Sequence, residues 1–192
     1  MSMNWRNLLR EHIERKVSIS DDQFDYIASF FRPISFKKKD KLISPGEAVQ
    51  AEYFVLSGCL ATYVVNDEQK MHILQFAMRT WWASDYNALY NNEKASVHVD
   101  CVSDAEVLCL LNEDREKMCH ELHNIESFFR WRSNGGYVSL QKRILSLLNN
   151  DAQSRYKELM QQYPELYNLV PKQLIAAYLG VSRETLSRFQ PH

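Results

Sequence analysis

The sequence lacks the features that mark several classes of protein. It has no apolar run long enough to cross a bilayer and no signal-peptide pattern, so we expect a cytoplasmic protein that does not enter a membrane. Only four cysteines occur among 192 residues, at irregular spacings, and we expect their thiols to remain free. Neither a G-x-S-x-G motif nor a glycine-rich phosphate loop is present, so nothing indicates an enzyme.

A metal site or another cofactor is not expected either. Cys119 and His123 lie four residues apart in a segment that we predict to be helical, and this geometry can supply two ligands. A closed zinc site needs four ligands, and no second pair occurs at ligand spacing. We therefore predict that the protein holds no metal.

The charge is nearly balanced, which excludes a basic protein that coats nucleic acid. The formal net charge is −1. Residues 141–192, however, contain seven Lys or Arg against four Asp or Glu, a net charge of +3, which leaves −4 for the rest. The positive sign of the C-terminal charge is the one expected of a part that faces DNA, but the difference is too small to identify a DNA-binding protein.

The first 111 residues predict helices followed by strands. Residues 3–31 carry an apolar stripe at helical spacing, and Ser20 with Gln23 forms a capping box. From residue 34 to 111 the apolar period becomes two, which predicts an antiparallel sandwich or jelly roll. The runs are ISFKKKDKLI, EYFVLSG, LATYVV, KMHILQF, SVHVDCV and AEVLCLL.

Residues 113–149 predict a return to helix. An apolar edge extends from Ile125 to Leu148 and includes Arg132 at one of its positions. Gly135-Gly136 interrupts this edge, which indicates a kink or a junction between two helices. Because so long an apolar edge would leave a large exposed patch on a monomer, we expect a homodimer joined along this helix.

Residues 170–189 predict two short helices joined by a tight turn. Pro171 suits a first helical position, Gly180 a helix stop, and Ser182 the N-cap of the second helix. This arrangement is the helix-turn-helix signature. Leu186 and Phe189 should face inward. The opposite face then presents Arg183, Glu184, Ser187 and Arg188.

The stretch VSRETLSR closely resembles the start of the recognition helix in the Crp/Fnr family of bacterial transcription regulators. The resemblance implies that Arg183, Glu184 and Arg188 read operator bases. From their placement near the helix start, we expect Thr185, Ser187 and Lys172 to contact mainly backbone phosphates. The alternative is a solvated surface helix on which Glu184 and Arg188 merely form an ion pair.

Earlier motifs extend this resemblance to nearly the whole chain. Pro45-Gly46-Glu47, an apolar strand ending at Leu56-Ser57-Gly58 and the strand that follows resemble the start of the cyclic-nucleotide-binding β-roll. Residues 152–164 resemble the linking helix of Bacteroidetes-type members. In this family the long helix pairs with its twin, so close approach of two backbones is a third use for the glycine pair.

The resemblance implies an α+β fold in three parts. An antiparallel β-roll sensor domain with flanking helices would occupy residues 1–123, and a dimerisation helix would occupy 124–149. An all-α helix-turn-helix domain would follow at 150–192, after a hinge at 149–151. Because Pro191 cannot continue a helix and the sequence stops at His192, we expect a short recognition helix without a winged hairpin.

The resemblance places an effector pocket after Phe76, but with altered residues. Members that bind cyclic nucleotides carry a Gly-Glu pair and, about ten residues later, an arginine that holds the phosphate. Here these positions are Ser84-Asp85 and Ala95, and the adenine-contacting positions fall near Phe128-Phe129. We therefore expect an effector other than cyclic AMP. Candidate contacts are Ser84, Asp85, Lys94, Ala95, Ser96 and Phe128.

Four aromatic residues after Phe76 leave two interpretations of the pocket open. Their side chains can fill the hollow, or they can line a site for an apolar or aromatic effector. The residues are Trp81, Trp82, Tyr86 and Tyr90.

The sequence as a whole predicts a DNA-binding transcription regulator that is not an enzyme. Its partners would be double-stranded DNA, a second copy of the chain and an unidentified small-molecule effector, with RNA polymerase as a further candidate. The alternative is a sensor or scaffold module that keeps the fold but has lost specific DNA binding.

Overall fold

The structure, a computed structural model, describes residues 4–189. The helices are α1 (Trp5–Glu14), α2 (Asp21–Ala28), α3 (Tyr86–Asn91), α4 (Asn112–Glu121), α5 (His123–Asn149), α6 (Ala152–Gln162), α7 (Leu166–Leu169), α8 (Lys172–Leu179) and α9 (Arg183–Ser187). The strands are β1 (Arg32–Phe36), β2 (Lys41–Ile43), β3 (Ala51–Ser57), β4 (Leu60–Val65), β5 (Met71–Ala77), β6 (Trp82–Ala83), β7 (His98–Cys101) and β8 (Ala105–Leu111). The expected short end at residues 190–192 lies outside the described residues.

The strands form two four-stranded sheets that face each other. The strand order is β1-β8-β3-β6 in the first sheet and β2-β7-β4-β5 in the second. Every ladder is antiparallel. Alternate residues of the strands point between the sheets, where Val55, Leu60, Val99 and Val107 are completely buried. The predicted α+β fold with an antiparallel β-roll is confirmed.

The N-terminal helices cover the outer face of the first sheet. Ser20 starts α2 through a capping box, in which its hydroxyl and the Gln23 side chain each accept a backbone N–H of the other residue. Leu9 and Ile13 of α1 pack in one core with Phe54 of β3. Helix α5 contributes to the same core, so the sheet, the N-terminal helices and the long helix are packed together.

Two predicted segments are divided in the structure. The run at 34–43 becomes β1 and β2, which belong to different sheets, because Lys39 adopts φ +77° in a turn between them. The helical segment after residue 113 is interrupted at Leu122, which has an extended backbone. Cys119 and His123 therefore lie on different helices, and the expected placement of both one turn apart on a single helix is wrong.

Helix α5 continues without a break through Gly135-Gly136, so the expected junction between two helices is absent there. A Cβ atom added at either glycine would meet nothing within 4 Å. Beyond this point one side of the helix is apolar and exposed. Its residues are Tyr137, Val138, Leu140, Ile144, Leu145, Leu147 and Leu148.

Helices α6 to α9, called here the C-terminal helices, pack on the outer face of the second sheet. Ile73 and Phe76 of β5 lie in one hydrophobic core with Ile175 and Leu179 of α8 and Leu186 of α9. The Phe76 and Tyr178 rings contact each other at a centroid distance of 5.4 Å. Both outer faces of the β-roll are therefore covered by helices.

The turn between β3 and β4 requires glycine at position 58. Gly58 has φ +83°, and a Cβ atom there would lie 2.2 Å from the Asp104 carbonyl oxygen. Gly46 has φ +88°, but a Cβ atom at that position would meet nothing within 4 Å. A residue with a Cβ atom would therefore be strained by the backbone at either position, but only at position 58 would it also overlap other atoms.

We expect Gly58→Ala to lower the free energy of unfolding by about 3 kcal/mol or more, through strain and steric overlap together. Gly46→Ala, the matched control, should lose only about 1–2 kcal/mol from strain. Equilibrium urea denaturation of both variants measures the difference. Equal losses would contradict the steric account of the β3–β4 turn.

Candidate functional site

Asp85, at the centre of the predicted effector site, uses its carboxylate entirely within the protein. Oδ1 caps α3 by accepting the backbone N–H of Ala88 at 3.1 Å. Oδ2 accepts the backbone N–H groups of Ser96 (2.8 Å) and Val97 (3.2 Å) and the Ser96 hydroxyl. Burial alone would raise the pKa of this carboxyl, but the hydrogen bonds outweigh it and lower the pKa below its ordinary value. Asp85 is therefore an internal anion.

The neighbouring predicted contacts also serve the fold. The Ser84 hydroxyl donates to a backbone carbonyl of β3 at 2.9 Å. The Ala95 side chain is buried, and its backbone pairs with the turn at 46–47 through two hydrogen bonds of 2.8 Å. Lys94, one residue earlier, is exposed. The structure thus brings Asp85, Ala95 and Ser96 together, with Lys94 at the rim.

This arrangement is unfavourable for a phosphate. The backbone N–H groups of Ser96 and Val97 already donate to the Asp85 carboxylate, so they are not available to a phosphate. A bound phosphate would lie near that negative charge, and the position expected for its arginine carries the methyl group of Ala95. A desolvated phosphate without a paired cation is strongly disfavoured.

Phe128 is not part of this group. It is 1% exposed and lies in the core with the N-terminal helices, where its ring contacts that of His12. Trp82 lies in the same core and donates its indole N–H to His12. Trp81 instead contacts Tyr163 of the C-terminal helices. The two tryptophans therefore have packing roles.

A buried ion pair between β3 and α5 was not foreseen from the sequence. Glu52 is 0% exposed, and its carboxylate lies 2.7 Å from a guanidinium nitrogen of Arg132, whose side chain is 11% exposed. Burial alone opposes the charge on the guanidinium, but the Glu52 carboxylate raises the pKa of Arg132. One signal was present in the sequence, because a charged residue stands on the apolar edge of the helix and another within an apolar strand.

Aromatic rings enclose this ion pair. The guanidinium carbon of Arg132 lies 4.4 Å from the Trp82 ring centre and 5.0 Å from that of Phe129. Tyr86 of α3 lies beyond them at 5.9 Å, and burial raises the pKa of its hydroxyl. The ion pair therefore connects β3, the start of α3 and the long helix at one point.

The predicted helix-turn-helix is formed by α8 and α9. Helix α8 ends at Gly180, which has φ +72° and the left-handed conformation expected of a helix stop. The Ser182 side chain accepts the Thr185 N–H at 3.2 Å and starts α9, as predicted from its N-cap preference. Leu186 is buried, so the rotation of α9 about its axis is fixed.

The recognition face of α9 is exposed. Arg183, Glu184, Ser187 and Arg188 are all open to solvent, and Thr185 is half-buried. Within residues 4–189, no ion pair within 4 Å joins Glu184 to Arg188. Hydrogen bonds from its own backbone N–H and from Ser182 lower the pKa of Glu184. Lys172 is exposed at the start of α8, near the Tyr167 ring.

Other kinds of site find little support in the described residues. Among residues 4–189, no three His, Cys, Asp or Glu side chains are grouped so that they could hold a metal ion. The four cysteines are unpaired, and burial raises the pKa of Cys59 to about 12 and that of Cys101 to about 11. Over the same range, no helix has both the length and the apolar character that a membrane span requires.

Comparison with known proteins assigns part of the chain to a domain family. Residues 33–121 match the family model of the cyclic nucleotide-binding domain. This segment runs from β1 to the end of α4 and contains the Asp85 site. A comparison with curated protein sequences finds no match.

Several solved structures share the fold. FixK2 from Bradyrhizobium japonicum is 16% identical, with 83% of this chain and 82% of that chain covered and a TM-score of 0.72. A transcriptional regulator of the Crp/Fnr family from Eubacterium rectale is 14% identical, with 89% and 82% covered and a TM-score of 0.69. A double mutant of CooA from Carboxydothermus hydrogenoformans is 19% identical, with 85% and 76% covered and a TM-score of 0.65. The Bacteroidetes-type resemblance stays a prediction.

We expect that the protein does not bind cyclic AMP or cyclic GMP at physiological concentrations. Asp85 already occupies the amides of the loop after α3, and no arginine stands at position 95. Isothermal titration calorimetry with each nucleotide should show no saturable heat. A micromolar dissociation constant for either nucleotide would refute this expectation.

Proposed function

We propose that this chain is a DNA-binding transcription regulator. Its residues 33–121 match the family model of the cyclic nucleotide-binding domain, and its fold is that of the Crp/Fnr regulators. The single observation that carries the proposal is the exposed polar face of α9, held in place by the buried Leu186. Arginine on such a face can form paired hydrogen bonds to guanine, and a carboxylate can accept from cytosine N4.

Arg183, Glu184 and Arg188 are the proposed base-reading residues. Arg183 and Glu184 stand in the first turn of α9, the part of a recognition helix that enters the major groove. Thr185, Ser187 and Lys172 are the proposed phosphate contacts. The Ser187 hydroxyl donates to the Arg183 carbonyl at 3.0 Å, which leaves its oxygen able to accept but directs its proton into the helix. Ser187 should therefore contribute less than Lys172.

We further propose that the chain divides into three functional parts. Residues 1–123 would sense an effector, 124–149 would form the dimerisation helix, and 150–192 would read DNA. The effector is a small molecule other than cyclic AMP, and RNA polymerase is a further proposed partner. The protein is proposed to act in the cytoplasm and to have no catalytic role.

A homodimer is proposed because α5 has an exposed apolar face. Tyr137, Leu140, Ile144 and Leu147 are spaced by three, four and three residues, the spacing of a coiled-coil seam. Gly135-Gly136 has open space around it, which would allow a second backbone to approach closely. Two recognition helices related by the dimer axis would read half-sites about one helical turn apart.

The alternative function is a sensor or scaffold that no longer binds specific DNA. The short α9, with five helical residues, favours it because few phosphate contacts would fix the register. Selection from random duplex DNA separates the two functions. Recovery of an imperfect palindrome supports the regulator, and recovery of no preferred sequence supports the alternative.

Replacing Arg183 or Arg188 with Ala should cost about 1–3 kcal/mol of binding to the selected duplex and relax the preference at one base pair. Lys172→Ala should instead weaken binding to all sequences alike and reduce the salt slope by about one. Fluorescence anisotropy at several salt concentrations measures both effects. Arg130→Ala, which removes an exposed arginine of α5 paired with Glu126, is the matched control and should change neither quantity. Unchanged affinity and site preference in both Arg183→Ala and Arg188→Ala would exclude α9 as the reader.

Replacing Ile144 with Glu should convert the protein to a monomer, because two carboxylates would be buried at the centre of the proposed seam. Lys142→Glu changes the charge of an exposed residue outside this spacing and should leave the dimer intact. Multi-angle light scattering at roughly 10 µM, a concentration at which stable interfaces of ordinary size persist, measures both masses. A monomeric wild-type protein would refute the proposal.

A further inference from the structure

Arg143 of α5 contacts both the second sheet and the first helix of the helix-turn-helix. One guanidinium nitrogen donates to the Ile73 carbonyl on β5 at 2.7 Å and to the Tyr178 carbonyl on α8 at 3.0 Å. The guanidinium carbon also lies 3.4 Å from the centre of the Tyr178 ring. A single side chain therefore joins the long helix, the β-roll and the C-terminal helices.

The two carbonyl groups that Arg143 contacts are available for local reasons. Between the pairs Thr62–Gln75 and Tyr63–Ile73, strand β5 contains one extra residue, and such a bulge disturbs the ladder beside Ile73. Strand β5 is also at the edge of its sheet. Tyr178 belongs to the last turn of α8, where helix carbonyls lack a partner within the helix. Arg143 thus satisfies acceptors that the secondary structure leaves open.

Burial, with a smaller effect from Arg155, lowers the pKa of Arg143 to about 10. The side chain is therefore still protonated at neutral pH. It brings a charge into a half-buried position, where it is stabilised by carbonyl oxygens and by the face of an aromatic ring. Lysine cannot reproduce this planar contact, because it lacks the guanidinium plane that stacks on a ring.

We propose that Arg143 is a positioning residue that sets the orientation of the two recognition helices relative to the dimer axis, and this inference rests on the proposed DNA-binding function. Helix α5 carries the proposed dimer seam, and Tyr178 lies two residues before the turn that leads to α9. Anchoring the end of α8 to α5 and β5 therefore fixes where α9 points. Arg143 therefore determines which spacing between the two half-sites is preferred, and it does not determine which bases are read.

Arg155 of α6 offers a matched control, because it contacts a carbonyl in the same last turn of α8. It donates to the Leu179 carbonyl at 2.9 Å and to the Asn150 carbonyl at 2.6 Å. Its loss removes a contact from the adjacent carbonyl of α8 but leaves the contact between α8 and β5 in place. Arg143→Met therefore removes the contact that joins α8 to β5, whereas Arg155→Met keeps it.

The test measures binding of the full-length protein to the selected palindrome and to versions with the half-sites one base pair closer or farther apart. Each step rotates one half-site by roughly 35° about the DNA axis. Wild-type protein and Arg155→Met should prefer the selected spacing by about tenfold, whereas Arg143→Met and the milder Arg143→Lys should bind the three spacings almost equally. A spacing preference that survives in both Arg143 variants would overturn the inference.

A second measurement, without DNA, separates this inference from the proposed function. Hydrogen exchange of the full-length protein should be faster in Arg143→Met at the peptides covering β5 and α8, and unchanged at α1 and α2. If wild-type protein selects no duplex, the DNA-binding proposal fails and exchange alone decides whether Arg143 holds α8 on β5. Unchanged exchange at both peptides would overturn the positioning role whatever the DNA result.

Discussion

The buried ion pair between Glu52 and Arg132 is the contact on which the arrangement of the long helix α5 against the β-roll depends. A carboxylate with no solvent exposure must be paired, and removing one partner of such a pair typically costs about 3–5 kcal/mol. Because the partner comes from α5, the pair fixes both the rotation and the axial position of the long helix on the β-roll. The apolar side of α5 beyond Gly136 is then turned to solvent, and Arg143 is turned towards the second sheet.

The same logic applies to the residues around Asp85, where an effector site was predicted. A charged group inside the domain needs a partner whether the charge belongs to a ligand or to the protein. Here Asp85 provides the negative charge, and the amides of Ser96 and Val97 neutralise it. On the side of the long helix, Arg132 provides a positive charge that Glu52 neutralises. Both charges are thus balanced within the chain, which makes the site self-sufficient in the structure described.

Local patterns predicted the parts of the fold that depend on neighbouring residues. The capping residues Ser20 and Ser182 and the helix stop at Gly180 act over one turn, so they could be identified from sequence. The division of 34–43 into two strands and the break at Leu122 could not, because pairing with distant strands and packing of α4 decide them. The Glu52–Arg132 pair joins residues eighty positions apart, so no local spacing reveals it. Of the predicted effector contacts, Phe128 was misplaced for the same reason.

The packing of the C-terminal helices on the second sheet has a consequence for folding. Helices α6 to α9 and the outer face of the second sheet form one hydrophobic core. Ile73 and Phe76 contribute to that core from the β-roll, and Ile175, Leu179 and Leu186 contribute from the C-terminal helices. The C-terminal helices are therefore stabilised by their contact with this sheet. A substitution on the outer face of β5 would consequently affect the second sheet and the C-terminal helices together. We therefore expect that the helix-turn-helix does not fold when it is separated from the β-roll.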